Sequence, residues 1–237
     1  GELHVSDHTN SSATTSGLRN IDSSGWRTDI LDAFGLPASM LPTVVDSAGI
    51  VGRASALPGA PPIAALIGDQ QASLIGQGCI RPGRAKITFA TGGMLDVRTD
   101  SGAPDAAHRH GNGTYPLPVW SIDGELGWGV EGIMLSAGTN VEWLRDDLGL
   151  IDTPAESHDI AAQCDDSGGV VYVPALLGLG TPSWDYGARG TLLGLTRGTE
   201  RTHVVRAVLE GVAHRGADLV EAAAADTGTD IDSIRVE

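Results

Sequence analysis

Ile63-Ala-Ala-Leu-Ile-Gly-Asp-Gln-Gln-Ala-Ser-Leu-Ile75 changes its hydrophobic period halfway along. Ile63 to Ile67 is a continuous apolar run, whereas after Gly68-Asp69-Gln70-Gln71 small apolar residues continue at helical spacing through Ala72 and Ile75. The predicted unit is a buried strand leading into a helix, and α/β folds place chemistry at the carboxyl ends of such strands. Asp69 stands at that end. A carboxylate there, flanked by Gly68 and by the amides of Gln70 and Gln71, is able to take a proton from a bound hydroxyl while the glutamines hold that hydroxyl. Spacing alone favours the plainer reading, in which an Asp after a strand caps the next helix.

Upstream, Leu3 to Thr15 is rich in Ser, Thr and Asn and reads as a loop with short extended pieces. Trp26, Ile30, Leu31 and Phe34 then recur at helical spacing, with Ser23 or Ser24 as the N-cap, Gly35 just past the end and Pro37 beyond. A connection from Met40 to Val45 leads into a turn-rich stretch ending at Pro58, Pro61 and Pro62.

Downstream, Ala85 to Phe89 and Met94 to Val97 read as strands of a tight hairpin around Ala90-Thr91-Gly92-Gly93. Ser101 to Pro118 reads as a polar loop, with extended pieces near Val119 to Ile122 and Gly127 to Val130. Met134, Ala137, Val141, Leu144 and Leu148 space as one helical face, which predicts a helix from Ile133 to Leu148 closed by Gly149. Val170 to Pro174 is a short strand, followed by a Gly-rich, Pro-interrupted loop from Leu177 to Gly190. The longest predicted helix runs from about Thr202 to Asp226 and is closed by Gly228, and Ile231, Ile234 and Val236 alternate as a final strand.

Composition narrows the function classes. The formal net charge is −15, and no run of Lys or Arg appears, so binding to nucleic acid or to an anionic membrane surface is not expected. With 41% hydrophobic and 19% charged residues the chain has ordinary globular composition and can bury a sizeable core. Cys79 and Cys164 are far apart and outside any CxxC spacing, which argues for free thiols and a cytoplasmic location. No apolar stretch is long enough to span a bilayer.

The remaining chemistry-bearing groups are ambiguous singly. The hairpin Thr88 to Gly93 offers backbone amides and hydroxyls able to hold phosphate oxygens, yet it is not a GxxxxGK[ST] loop, and a Gly-rich hairpin is also simply a hairpin. Gly138 lies inside a helical pattern, where glycine costs about 1 kcal/mol relative to alanine, so either a ligand or a packed neighbour approaches its backbone. None of the seven histidines has paired metal spacing; His203 opens the long helix, His214 lies within it, and the rest fall in loops. No serine sits in GxSxG. Trp143 reads as core.

Together these segments resemble the FGGY family of carbohydrate kinases. The carrying motifs are Gly68-Asp69-Gln70-Gln71, the TFATGG hairpin at Thr88 to Gly93, EGIMLSAGTNVEWLRD from Glu131 to Asp146, and VPALLGLGTPSWDYGARGTLLGLTRGTERTHVVRAVLEG from Val173 to Gly211. Within the last, Gly190, Leu192, Gly194, His203, Val204, Ala207 and Glu210 fall at the spacing of the family's C-terminal signature. The resemblance covers essentially the whole chain and implies an α/β, ribonuclease H-like, actin-like ATPase fold. It assigns residues 1–78 to the end of the substrate-binding N-terminal domain and residues 79–237 to a truncated, nucleotide-binding C-terminal domain.

The implied reaction is transfer of the γ-phosphoryl group of ATP, with Mg²⁺, to a hydroxyl of glycerol or a related polyol or sugar. By match of motif Asp69 is the general base, Gln70 and Met94 line the substrate, and Thr91, Gly92, Gly138 and Glu142 contact the nucleotide. Two positions depart from the family's pattern. Glu142 replaces a glutamine, and a carboxylate beside phosphates repels them unless a metal intervenes. Met94 replaces a phenylalanine against the substrate, which opens the pocket to substrates other than glycerol. The family's Asp-Gly-Thr phosphate loop, its Arg-Glu substrate pair and its later Gly-Gly turn are not in the sequence, so the chain reads as a fragment expected to be inactive alone. The alternative is a non-catalytic nucleotide- or sugar-binding sensor or scaffold on the same fold; homo-oligomerisation is left open.

Overall fold

The computed structural model describes residues 3–13, 17–20, 22–100, 102 and 109–237. In chain order its elements are β1 (Val5–Asp7), α1 (His8–Ala13), α2 (Thr28–Phe34), β2 (Thr43–Val45), β3 (Ala48–Arg53), β4 (Pro62–Ala65), α3 (Asp69–Gly76), β5 (Arg84–Phe89) and β6 (Gly93–Arg98). There follow β7 (Tyr115–Ile122), β8 (Glu125–Met134), α4 (Gly138–Asp146), α5 (Glu156–Ala161), β9 (Val171–Val173), β10 (Thr191–Leu193), α6 (Arg201–Thr227) and β11 (Ser233–Val236).

Five strands form the central sheet in the order β11-β5-β6-β8-β7. The pairs β5/β6, β6/β8 and β7/β8 are antiparallel, and β11 returns after α6 to pair parallel with β5. Because side chains alternate along a strand, the register divides the sheet into two unlike faces. Ala85, Ile87, Leu95, Val97, Val130 and Met134 share one buried cluster with Leu219 and Ala223 of α6. Lys86, Thr88, Met94, Asp96 and Glu131 occupy the alternate positions and project to the opposite face. Helix α3 covers that face through Leu74, which clusters with Cys79, Leu117 and Val119.

The 27-residue α6 also ties in a second cluster, in which Val205 and Val208 meet Leu144 of α4, Ile160 of α5 and Tyr172 of β9. Glu200 and His203 close a capping box at its start, and Gly228 ends it in the left-handed region. Both ends fall within a residue of the expected bounds. His203 therefore has the structural role expected of it.

Several expectations are corrected. The stretch from Leu3 has its expected short extended piece in β1 but continues as α1 rather than loop, because the buried Asp7 carboxylate accepts the amides of Thr9 and Asn10 and starts a helical turn; Thr14 and Thr15 lie outside the described residues. Helix α2 begins at Thr28 with Arg27 at the N-cap, not Ser23 or Ser24. Ser23 is instead spent in a turn at φ +57°, where Asp22 accepts the Ser24 amide. Strand β4 is not buried: it pairs only with β3, and most of its residues are exposed. The helix expected from Ile133 starts at Gly138, since Ile133 and Met134 close strand β8 and Ala137 at φ −120°, ψ −87° breaks the path between them.

The expected loop from Ser101 gives way to β7 already at Tyr115, and residues 101 and 103–108 lie outside the described set. His8 and His158 sit on α1 and α5 rather than in loops. Both cysteines are free thiols. Among the described residues no helix is long and apolar enough to cross a membrane.

Candidate active site

Helix α3 is held at its first turn by a chain of hydrogen bonds from β1. Ser47 Oγ and Thr9 Oγ1 donate to Asp7 Oδ2 at 2.7 and 2.8 Å, and Thr9 Oγ1 in turn accepts the Gly68 amide at 2.8 Å. Burial alone raises the Asp7 carboxyl, but the hydrogen bonds from Asn10, Ser47 and Thr9 outweigh it and hold the group below its usual range. Gly68 is the N-cap without any side-chain cap, so the capping reading of Asp69 fails by one residue. Asp69 is the first residue of the helix and is exposed; its Oδ1 accepts the neighbouring Gln70 amide at 2.8 Å. Its other oxygen is open to a ligand, at the electropositive end of the helix.

Gln70 turns toward the sheet. Its Oε1 accepts from Lys86 Nζ at 2.6 Å, and Lys86 also donates to Thr88 Oγ1 at 2.8 Å. Lys86 and Asp96 are both 0% exposed and stand 3.1 Å apart. Neither Asp96 oxygen has a well-angled hydrogen bond, and burial pushes its carboxyl upward against the pull of Lys86. Glu131 is the register partner of Asp96 on β8; burial first and Asp96 second push it up to about 7, with Lys86 opposing. A row of three ionisable groups therefore runs across β5, β6 and β8 beneath α3. Met94, half-buried, pairs in register with Thr88 and Ile133 beside this row.

Thr88 leads into the turn of the β5–β6 hairpin. The turn docks on the start of α4: the Gly138 amide donates to Ala90 O at 2.7 Å, and Thr91 O accepts the Ala137 amide at 2.9 Å and Thr139 Oγ1 at 2.9 Å. A Cβ on Gly138 would stand 2.6 Å from Ala90 O, and one on Gly92 would stand 2.8 Å from Met134 O. Both glycines are thus required by close backbone approach, and the neighbour of Gly138 is the hairpin itself. Asn140 fixes that first helical turn from inside, donating to Ser136 O and Ala137 O while accepting Tyr172 Oη at 2.8 Å. Burial pushes the Tyr172 phenol up to about 12. Glu142, one turn further along α4, is exposed.

The structure brings the expected residues into two adjoining groups. Asp69, Gln70 and Met94 lie about the ends of α3 and β5, and Thr91, Gly92 and Gly138 form the hairpin seat, with Glu142 along the same helix. Thr88 belongs to the first group and Thr91 follows three residues later, at most about 11 Å along the chain. Lys86, Asp96 and Glu131 are not among the residues singled out from sequence. Their signal was present, one interior charge at an alternating position in each of three strands whose other charge, Arg84, Arg98 or Glu125, stands at a strand end, but alternation alone assigns such positions to solvent. Among the described residues no three His, Cys, Asp or Glu side chains could together hold a metal ion. The exposed carboxylates of the two groups are Asp69 and Glu142, and Mg²⁺ commonly combines one or two carboxylates with substrate phosphates and water.

A mixed sheet with a long helix across one face and α3 over a buried charged row on the other, edged by a turn seated on a helix start, is the architecture of an actin-like ATPase domain. Residues 91–237 match the C-terminal domain of the FGGY family of carbohydrate kinases, and residues 1–76 match its N-terminal domain. The chain belongs to the FGGY family. It is 42% identical to a glycerol kinase of Alkalilimnicola ehrlichii and 41% identical to one of Carboxydothermus hydrogenoformans, over 100% of this chain and 47% of each relative. Its fold superposes on a Plasmodium falciparum glycerol kinase crystallised with ADP at a TM-score of 0.83 and 31% identity, covering 98% of this chain and 46% of that one. A xyloylose kinase from Brucella ovis follows at 0.78 and 28%, covering 99% and 46%. The chain spans about half the length of these relatives.

Proposed function

We propose that the chain carries the general base and part of the nucleotide seat of an ATP-dependent kinase that phosphorylates glycerol or a related polyol or sugar. The observation that supports this most is the exposed carboxylate of Asp69 on the first turn of α3, with Gln70 beside it anchored to β5. In this reading the substrate hydroxyl oxygen bonds to the γ-phosphorus, the bond to the ADP oxygen breaks, and the hydroxyl proton passes to Asp69. Phosphoryl transfer depends mainly on positioning and charge neutralisation, and a base of this kind contributes about 10² to 10⁴-fold. Gln70 and Met94 line the substrate; Thr91, Gly92 and Gly138 lie toward the phosphates. Mg²⁺, brought with ATP, supplies neutralisation of phosphate charge, and the exposed Glu142 is compatible with phosphates only when a cation lies between them.

We place the boundary between the substrate-binding and nucleotide-binding portions at residues 78/79, where α3 has ended and β5 has not begun, and the enzyme in the cytoplasm. The family relatives argue for catalysis rather than a binding role. The test is coupled ADP release by the complete enzyme with glycerol and a panel of pentuloses. ATP-dependent turnover with at least one of them is expected; thermal stabilisation by ATP with no turnover on any would overturn the kinase reading in favour of a sensor.

A further inference from the structure

The Lys86 ammonium is buried without solvent contact and donates to Gln70 Oε1 at 2.6 Å and Thr88 Oγ1 at 2.8 Å, with the carboxylates of Asp96 at 3.1 Å and Glu237 at 3.7 Å as its charge partners. An ammonium carries no lone pair, so the end of the Gln70 amide that meets it can only be the carbonyl oxygen. The Nε2 end is left over, and Gln70 sits next in sequence to the exposed Asp69. Asp96, equally buried at 3.1 Å, is the nearest counter-charge that permits a lysine there. The buried Lys86–Asp96 pair thus acts on the Gln70 amide through Lys86 alone.

We infer that Lys86 is a positioning residue of the site: it locks the Gln70 amide so that only an N–H donor faces the bound polyol, and Gln70 therefore recognises an oxygen that accepts. The inference rests on the proposed function of Gln70 as a substrate contact, and it adds what fixes that contact and with which polarity.

Removing Lys86 alone would strand the buried Asp96 carboxylate and risk unfolding. The variant to make in the complete enzyme is therefore Lys86→Met with Asp96→Leu, which withdraws both charges together, compared with Gln70→Ala and with the triple combination. A hydrogen bond of this kind corresponds to about a tenfold change in affinity, so the polyol KM is expected to rise about tenfold in the paired variant while the KM for ATP does not follow. In the combined variant the polyol KM should match that of Gln70→Ala alone, because Lys86 acts through Gln70. Multiplying losses, an unchanged polyol KM, or polyol and ATP KM values rising in parallel would each overturn the inference and leave Lys86 a purely structural residue.

If the unmodified enzyme phosphorylates no polyol, the kinase reading has failed, and the inference is then judged without turnover. The ¹⁵N side-chain amide resonances of Gln70, identified by their loss in Gln70→Ala, should lie away from random-coil positions and move toward them in the paired variant. Resonances that stay in place on removal of Lys86 would overturn it.

Discussion

At the scale of single residues, the site is built on close approaches that only certain side chains permit. Gly138 was legible in the sequence as a glycine whose backbone something approaches; what approaches it in the fold, the Ala90 carbonyl, was not, because that contact joins residues 48 apart. A Gly138→Ala side chain would meet that carbonyl at 2.6 Å. Either the hairpin turn or the helix start must shift. Overpacking of this kind costs about 1 to 3 kcal/mol, and ATP affinity should fall with it because Thr91 and Gly92 move off their seat. Thermal unfolding together with an ATP titration reads both effects; an unchanged Tm and unchanged ATP binding would contradict the seat. Lys86 shows the opposite kind of illegibility. Between the apolar Ala85 and Ile87 it reads as the solvent side of a half-buried strand, yet α3 and its charged neighbours leave it 0% exposed.

Among elements, α3 depends on one hydroxyl. Thr9 bridges the Asp7 carboxylate to the Gly68 amide, so Thr9→Val keeps the shape and removes both hydrogen bonds. The loss is expected to be about 1 to 3 kcal/mol at neutral pH, read as a lowered midpoint in urea. Asp7 has its carboxyl held below the usual range, so its contribution is fully present above the ordinary carboxylate pKa and is lost as the pH falls through the depressed one. The gap between Thr9→Val and wild type should therefore narrow in acid; a gap that stays constant down the acid limb would show that the hydroxyl does not act through Asp7. Helix and strand identity were legible wherever one period persisted, as in α6, β5 and β6. They were not legible where two elements happened to share a spacing. Met134 of β8 and Val141, Leu144 of α4 fall at intervals of a single helical face, and the break at Ala137 is a backbone event without a sequence signature.

For the molecule as a whole, the fold class was legible from the long motif between Val173 and Gly211, whereas the distribution of charge was not. A net charge of −15 says nothing about the row of Lys86, Asp96 and Glu131 gathered inside. With Glu131 pushed up to about 7, the unfolded chain ionises this group first as pH rises from about 4.5, so folding is progressively disfavoured up to pH 7 and the penalty is constant above it. At 1.36 kcal/mol per unit the penalty amounts to about 1 to 3 kcal/mol once partial solvent contact is allowed for. Glu131→Gln should thus gain stability relative to wild type between pH 5 and pH 8, and a difference that does not change with pH would contradict the buried row. The proposed chemistry is tested most directly in the complete enzyme by Asp69→Asn, with initial rates of ADP release set beside ATP binding measured by calorimetry. Turnover reduced by about 10² to 10⁴-fold with ATP affinity retained is expected of a lost proton acceptor; turnover equal to that of the unmodified enzyme would remove Asp69 from the reaction.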